Sequence, residues 1–198
     1  FVLPELWNAA CFAFDHFEER AETFDGPTVA MCRSVARDLG AWVHLGSFLE
    51  RDETGRLYNT SALIDSDGTI VQTYRKIHVF GYRSREAELV TSGDALSVVE
   101  TPLGPLASTI CYDLRFPGLW VEAGARGAHA AVLPAAWPAS RRQHFRLFTE
   151  TRAVEHQIWM IAVGACGTQS GVELSGISRI VSPWGEVVAE CSPTEEEV

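Results

Sequence analysis

Positive charge is scarce in this 198-residue chain, where 16 Lys and Arg stand against 26 Asp and Glu for a net charge of −10. An acidic surface forgoes the counterion release that drives nucleic-acid binding, so no nucleic-acid partner is expected and a small molecule fits better. Long apolar runs are also missing. None approaches the roughly 20 residues that a membrane-crossing helix needs, so membrane insertion is not expected. The cysteines Cys11, Cys32, Cys111, Cys166 and Cys191 are odd in number, widely spaced and form no CxxC pair. Neither a disulfide framework nor a zinc site is indicated, and a reducing cytoplasm is the default compartment. No repeat or low-complexity linker divides the chain, and its length suits a single domain over residues 1–198.

The chain opens on "FVLPELW", already a strand pattern, with neither an initiator Met nor a charged leader, and closes on "SPTEEEV" just after a strand-like stretch. The expectation is that an N-terminal strand and helix, and a C-terminal tail, lie outside this sequence. A helix is predicted from "DGP" at 25–27 to Gly40, with Val29, Cys32, Val35, Ala36 and Leu39 on one face that packs on a sheet. Residues 41–49, 57–65 and 69–75 read as strands, the last two joined by the hairpin signal "SDG". Two more, 96–100 and 106–111, flank "PLGP". Beyond Cys111 come a helix over 117–126, the buried strand "AHAAVLPA", a helix over 140–155 and the buried strand "IWMIAVGA". A hairpin of 176–182 and 186–191 about "SPWG" ends the chain. Antiparallel hairpins combined with helix-linked apolar strands predict an α/β fold of mixed sheets, each covered by helices on one face.

Chemistry concentrates at "ASTICYDLRFPG". A cysteine in an apolar run is commonly a small buried hydrophobe, and that reading suits Cys32 and Cys166. Cys111 differs because polar "YD" and then "RFP" follow at once, placing its sulfur where strand gives way to turn near a helix N-terminus. Backbone N–H groups and the helix dipole there favour a thiolate and offer an oxyanion site. Such a nucleophile needs a base. None of the histidines His16, His44, His78, His129, His144 and His156 sits in a cysteine-protease signature, so carboxylates come into view. Glu5 ends "FVLPE", where a strand would carry it to a sheet edge, and a charge so placed is costly unless paired or used. Lys76, ending "IVQTYRK", reads on its own as a solvated lysine, and Glu86 in "SREAEL" as an ordinary surface acid.

Together, "FVLPELW" with Glu5, "YRKIHVF" with Lys76 and "ICYDLRFP" with Cys111 resemble, in order and spacing, the three motifs of the nitrilase superfamily of carbon–nitrogen hydrolases. The segments "GRLYNTSALID", "VLPAAWP", "TRAVEHQ" and "IVSPWGEVVAE" are similar to family segments as well. The resemblance implies an αββα sandwich with two mixed β-sheets flanked by helices, and a Glu-Lys-Cys triad. In it Glu5 serves Cys111 as base, Lys76 stabilises the tetrahedral intermediate, and Glu86 matches an additional glutamate that orients substrate and attacking groups. It further implies a thioester acyl-enzyme, no metal or organic cofactor, and a homodimer or larger assembly through the helices after the nucleophile strand and at "TRAVEHQ". Trp120 is expected as an exposed aromatic of that interface.

Nitrile-hydrolysing members usually carry Trp and Glu just after the cysteine. Tyr112, Asp113, Leu114 and Arg115 resemble instead the amidases of the superfamily, including omega-amidase and deaminated-glutathione amidase. The reading is therefore hydrolysis of a small linear amide to acid and ammonia. Hydrolysis of N-carbamoyl compounds or nitriles, and a catalytically silent scaffold, stay open as alternatives. Asp113 and Arg115 are expected to form a buried pair that orients the loop. Gly118 stands where relatives carry Glu, and Ile177 where amidase-like proteins often carry His. Substrate contacts are expected from loops near 80–88, 112–118, 135–145 and 164–174. Tyr112 and Trp137, with Phe145, are candidates to line the acyl pocket, and Arg83, Arg85, Arg141 and Arg142 to hold a substrate carboxylate, which the guanidinium fork matches bidentately.

Overall fold

The chain enters its first long helix through Pro27 and leaves it through Gly40, as the conformational limits of the two residues dictate. Proline fits the first turn, where its missing N–H is not needed, and Gly40 takes the left-handed conformation (φ 56°) that stops a helix. The computed structural model describes residues 1–82 and 84–197. In it a one-turn helix α1 (Phe17–Arg20) precedes this helix α2 (Pro27–Leu39). Val29, Cys32 and Ala36 form the buried stripe of α2, packing on Val43, Leu45, Phe48, Ala62 and Ile64. Val35 and Leu39, expected on that stripe, are 39% and 59% exposed. The stripe is narrow, and both residues fall beyond its edge.

The sheet beneath α2 contains β1 (Val43–His44), β2 (Phe48–Arg51), β3 (Leu57–Ile64) and β4 (Ile70–Arg75). Both β1 and β2 lie antiparallel along one side of β3, with β4 antiparallel on the other. The single strand expected over 41–49 is thus broken in two, and Gly46 is the break (φ 70°). A Cβ there would stand 2.1 Å from the carbonyl oxygen of Pro4. What the break admits is the segment Phe1–Pro4, which runs alongside β1. Leu3 N–H donates to His44 O at 3.0 Å, His44 N–H to Phe1 O at 2.8 Å, and Ser47 N–H to Pro4 O at 3.1 Å. Only Val2 and His44 form a regular bridge, which is parallel, so "FVLPE" is a strand-like neighbour rather than a full strand. It ends where Leu6 turns the chain at φ 44°.

The one-turn helix α3 (Glu86–Leu89) leads to the second sheet. That sheet comprises β5 (Val98–Val99), β6 (Leu106–Ser108), β7 (Ala130–Ala135), β8 (Trp159–Gly164), β11 (Arg179–Val181) and β12 (Val187–Glu190), in the order β12-β11-β8-β7-β6-β5. The pairs β6/β7 and β7/β8 are parallel, joined through α4 (Pro117–Ala125) and α5 (Arg142–His156), and the remaining pairs are antiparallel. A small hairpin of β9 (Thr168–Gln169) and β10 (Val172–Glu173) stands apart. Helices α4 and α5 cover the outer face of this sheet with Leu119, Trp120, Ala123, Phe145 and Ala153. Trp120, expected at an exposed interface, is wholly buried, and its indole N–H donates to Asp113 O at 3.1 Å. Its large ring fills the space beneath α4.

The inner faces of the two sheets meet through Leu63, Leu106, Ala130 and Val132. Beside them runs a buried polar chain. Gly46 N–H donates to His44 Nδ1 at 3.2 Å, which leaves Nε2 to carry the ring hydrogen toward Ser108 Oγ at 3.1 Å. Ser108 in turn donates to Gln72 Oε1 at 2.6 Å. The layers are helix, sheet, sheet, helix: the αββα sandwich, its second sheet mixed through β6, β7 and β8 and its first through the parallel bridges that Val2, Glu22 and Val90 make to antiparallel strands. Among the described residues no helix is long and apolar enough to cross a membrane.

Candidate active site

Ile110 is extended (φ −135°, ψ 119°) and the next residue, Cys111, takes φ 44° to open a five-residue 3₁₀ turn, Cys111–Arg115. A non-glycine residue in the left-handed region is strained and persists only where its surroundings impose it. Asp113 supplies that brace. One carboxylate oxygen accepts Ile110 N–H at 2.9 Å and Tyr74 OH at 2.8 Å; the other accepts His78 N–H at 3.0 Å and His78 Nδ1 at 2.8 Å. The carboxylate only accepts, so Nδ1 carries the hydrogen, while the imidazole stacks on Phe116 at 3.7 Å. Asp113 therefore ties the cysteine turn to the end of β4. Its expected partner Arg115 instead places its guanidinium over Trp137 (4.9 Å) and Phe148 (5.2 Å) and donates to His144 Nδ1 at 3.1 Å.

Two residues past Tyr74, Lys76 is held by the first sheet. Its N–H donates to Asn59 O, and its own carbonyl accepts Gly93 N–H, both at 2.8 Å. Its side chain is 1% exposed, against the solvated lysine that the strand end alone suggests. The ammonium donates to Glu5 Oε1 at 2.7 Å and to both oxygens of Glu86 at 3.0 and 3.2 Å. Glu5 Oε2 accepts Ala136 N–H at 2.8 Å, and Glu86 Oε2 accepts Phe80 N–H at 3.0 Å. Asn59 completes the ring, donating from Nδ2 to Glu5 Oε1 at 2.9 Å and to Glu86 Oε1 at 3.1 Å. All four side chains are buried.

The charges follow from this arrangement. Burial by itself would raise the Glu5 carboxyl, but the charge and hydrogen bond of Lys76, with the Ala136 N–H and the Cys111 thiol, hold it below the usual carboxylate range. Burial opposes the Lys76 charge, yet the two carboxylates keep it well above the ordinary lysine value. Burial, and then the Glu5 anion, push the Cys111 thiol well up, more than Lys76 pulls it down. The thiolate favoured by a helix dipole is thus not the resting form, because the turn after Cys111 is too short to supply that dipole and the dry, acidic surroundings dominate. A neutral thiol rests beside an ionised carboxylate, the arrangement of a nucleophile that loses its proton only as it attacks.

Above this group opens a narrow cavity lined by Glu5, Lys76, Glu86 and Cys111. Tyr112, Trp137, Arg115 and Arg141 form part of its wall; Phe145 packs behind Trp137 with ring centroids 5.5 Å apart. Phe80, Ser84, Ala136 and Pro138 come from the expected loops, and none of the lining comes from 164–174. Arg85 pairs with Asp15 at 2.5 Å and does not line the cavity. Arg142 turns to Ser175 O at 2.9 Å, and Arg83 lies outside the described residues. Sequence reasoning missed Cys11, Phe12 and Phe14, which close one wall, and Asn59. The one signal for Asn59 was polar "NTS" within a strand otherwise apolar at both ends.

Comparison with known proteins agrees with the geometry. The family model described as carbon–nitrogen hydrolase matches residues 1–198. The 2-oxoglutaramate amidase of Paenarthrobacter nicotinovorans is 36% identical over 203 residues, covering 98% of this chain and 68% of the relative. Omega-amidase NIT2 of Xenopus tropicalis is 34% identical over 202 residues, 98% of this chain and 72% of the relative. Among solved structures, Saccharomyces cerevisiae Nit3, a member of branch 10 of the nitrilase superfamily, superimposes with a TM-score of 0.89 at 30% identity, over 98% of this chain and 73% of that one.

Proposed function

The chain belongs to the carbon–nitrogen hydrolase family, and on that premise we propose that it cleaves a small linear carboxyamide through a thioester on Cys111. It is a cysteine-dependent amidase. The observation that carries the residue-level reading is the buried ring of Glu5, Lys76, Glu86 and Asn59 beside a neutral thiol. Cys111 Sγ attacks the amide carbon while Glu5 takes the thiol proton, so no free thiolate has to exist beforehand. Lys76 and the backbone N–H after Cys111 receive the oxyanion, a contribution of roughly 3 to 4 kcal/mol per donor elsewhere. The C–N bond then breaks as Glu5 returns the proton to the leaving nitrogen, and ammonia departs. Water, deprotonated by Glu5, attacks the thioester, the C–S bond breaks, and the thiol regains its proton as the acid leaves. Glu86 holds Lys76 and orients the substrate amide.

The anionic far end is supported by Arg115 and Arg141, two guanidinium groups in the cavity wall beside Tyr112 and Trp137, and by the name of the oxoglutaramate-cleaving relative. Exposed Val121 on α4, and Leu147 and Val154 on α5, support pairing of two copies through these helices. The unpaired cysteines support a reducing, cytoplasmic setting, and the shared core of the two sheets a single domain.

The test is intact mass of the wild type and of Cys111→Ala after brief exposure to a panel of linear amides, carboxyamides included, with ammonia measured in parallel. Acyl mass on the wild type alone, with ammonia, is the expected result, and Arg115→Met raises KM about 10-fold or more for carboxyamides with little change for neutral amides. An adduct on Cys111→Ala, or turnover of nitriles or carbamoyl compounds but no amide, would overturn the reading.

A further inference from the structure

Asn59 sits in β3, wholly buried, with its carbonyl already used by Lys76 N–H in the sheet. Its side-chain amide has two hydrogens, and each goes to a different acid: Glu5 Oε1 at 2.9 Å and Glu86 Oε1 at 3.1 Å. The opposite amide orientation would aim an oxygen at two groups that only accept, so the orientation is determined by its partners. The price is an amide oxygen, Oδ1, that is buried and finds no donor among the described residues. A side chain retained for stability alone would avoid that orphan, since a buried unpartnered acceptor destabilises a core. The useful part of Asn59 is therefore its pair of donors.

We infer that Asn59 is a positioning residue whose amide clamps Glu5 and Glu86 into one orientation around Lys76; this rests on the reading of Glu5 as base to Cys111. Lys76 and one backbone N–H apiece, Ala136 for Glu5 at 2.8 Å and Phe80 for Glu86 at 3.0 Å, anchor the two acids to separate parts of the chain, and a single ammonium is a flexible link between them. A neutral amide bridges the Oε1 atoms of the two acids directly, through a rigid strand residue, and leaves the charge of the site unchanged. A lysine would neutralise the base, and an aspartate would add a third acid. The amide also donates to the ionised form of Glu5, so its removal makes that acid easier to protonate.

The experiment compares the pH dependence of kcat/KM, of kcat and of Cys111 acylation in wild type, Asn59→Leu and Asn59→Asp. Asn59→Leu keeps the volume and removes both donors. Its acid limb is expected to move up by about half to one pH unit, with kcat down about 10- to 100-fold at neutral pH and KM little changed. Asn59→Asp moves the limb further, because a third acid repels the other two. Should Asn59→Leu fail to fold, Asn59→Ser, which keeps one donor, decides with a smaller shift of the same sign. A limb that stays where the wild type has it in the folded variants overturns the inference, as does a loss that matches the unfolded fraction alone. If the wild type itself shows no acyl mass on Cys111, the reading of the base fails instead. Wild-type acylation with an unmoved limb sinks only the role of Asn59.

Discussion

Lys76→Met removes the ammonium that pairs with both acids of a dry site. The carboxylate oxygens that share Nζ lie 2.7 and 3.0 Å from it, and Lys76 itself is 1% exposed. Those oxygens are then at most about 6 Å apart, and at an effective dielectric near 20 their repulsion is at least about 3 kcal/mol. Removing one partner from a buried ion pair costs about 3 to 5 kcal/mol elsewhere, which agrees with that figure. For a chain of this length the loss corresponds to a melting point lower by about 6 to 20 °C. The sign of the pH dependence is more diagnostic than the size. In the wild type the Glu5 carboxyl is held below its unfolded value, so its contribution is present above about pH 4.3 and is lost as pH falls through the folded value. In the variant burial acts on Glu5 with no ammonium to oppose it, so Glu5 protonates more readily folded than unfolded, and the variant's deficit is largest near neutrality and shrinks toward about pH 5. Urea denaturation of both proteins at pH 5 and 7.5 reads the difference. A deficit under about 1 kcal/mol at neutral pH, or one that grows on acidification, would refute the electrostatic account.

His44 lies between the sheets with its imidazole pushed down to about 3 by burial, so its unfolded form binds the extra proton below about pH 6.5. Its share of stability is present above that pH and falls by up to about 1.4 kcal/mol per unit as the medium acidifies. His44→Gln should lower stability at pH 7.5 yet flatten the decline between pH 6 and 4, and parallel curves for the two proteins would contradict this. At Gly93 a Cβ would stand 2.1 Å from the carbonyl oxygen of Arg75, the residue before Lys76. Gly93→Ala should therefore destabilise by about 1 to 3 kcal/mol and lower kcat by displacing Lys76. Gly118→Ala is the control: nothing lies within 4 Å of its Cβ position in α4, and a neutral or slightly stabilising effect is expected by thermal melting.

Legibility differed between elements for physical reasons. Helices α4 and α5 and the buried strands β7 and β8 were visible because period, caps and apolar runs are properties of neighbours in the chain. The break at Gly46 was not visible, since it answers to Pro4 packing against it from across the sheet. Trp120 looked like interface and proved to be core, because an aromatic beside a turn carries no mark of which layer it meets. At the site, Cys111 and Glu5 stood out as reactive types in apolar runs, whereas Lys76 and Glu86 were noticed only through their likeness to family motifs. Asn59 looked like one more polar residue on a strand.

From the sequence alone follow the elements, the αββα layering through family likeness, and the residue types a thioester mechanism needs. The tertiary structure alone decides how those residues meet. It brings Glu5, Asn59, Lys76, Glu86 and Cys111, drawn from positions 5 to 111, around one buried ammonium. It also decides the resting protonation. Burial and like charge raise a thiol that local dipoles would lower, and ionisation depends on distance in space, which the order of residues along the chain does not contain.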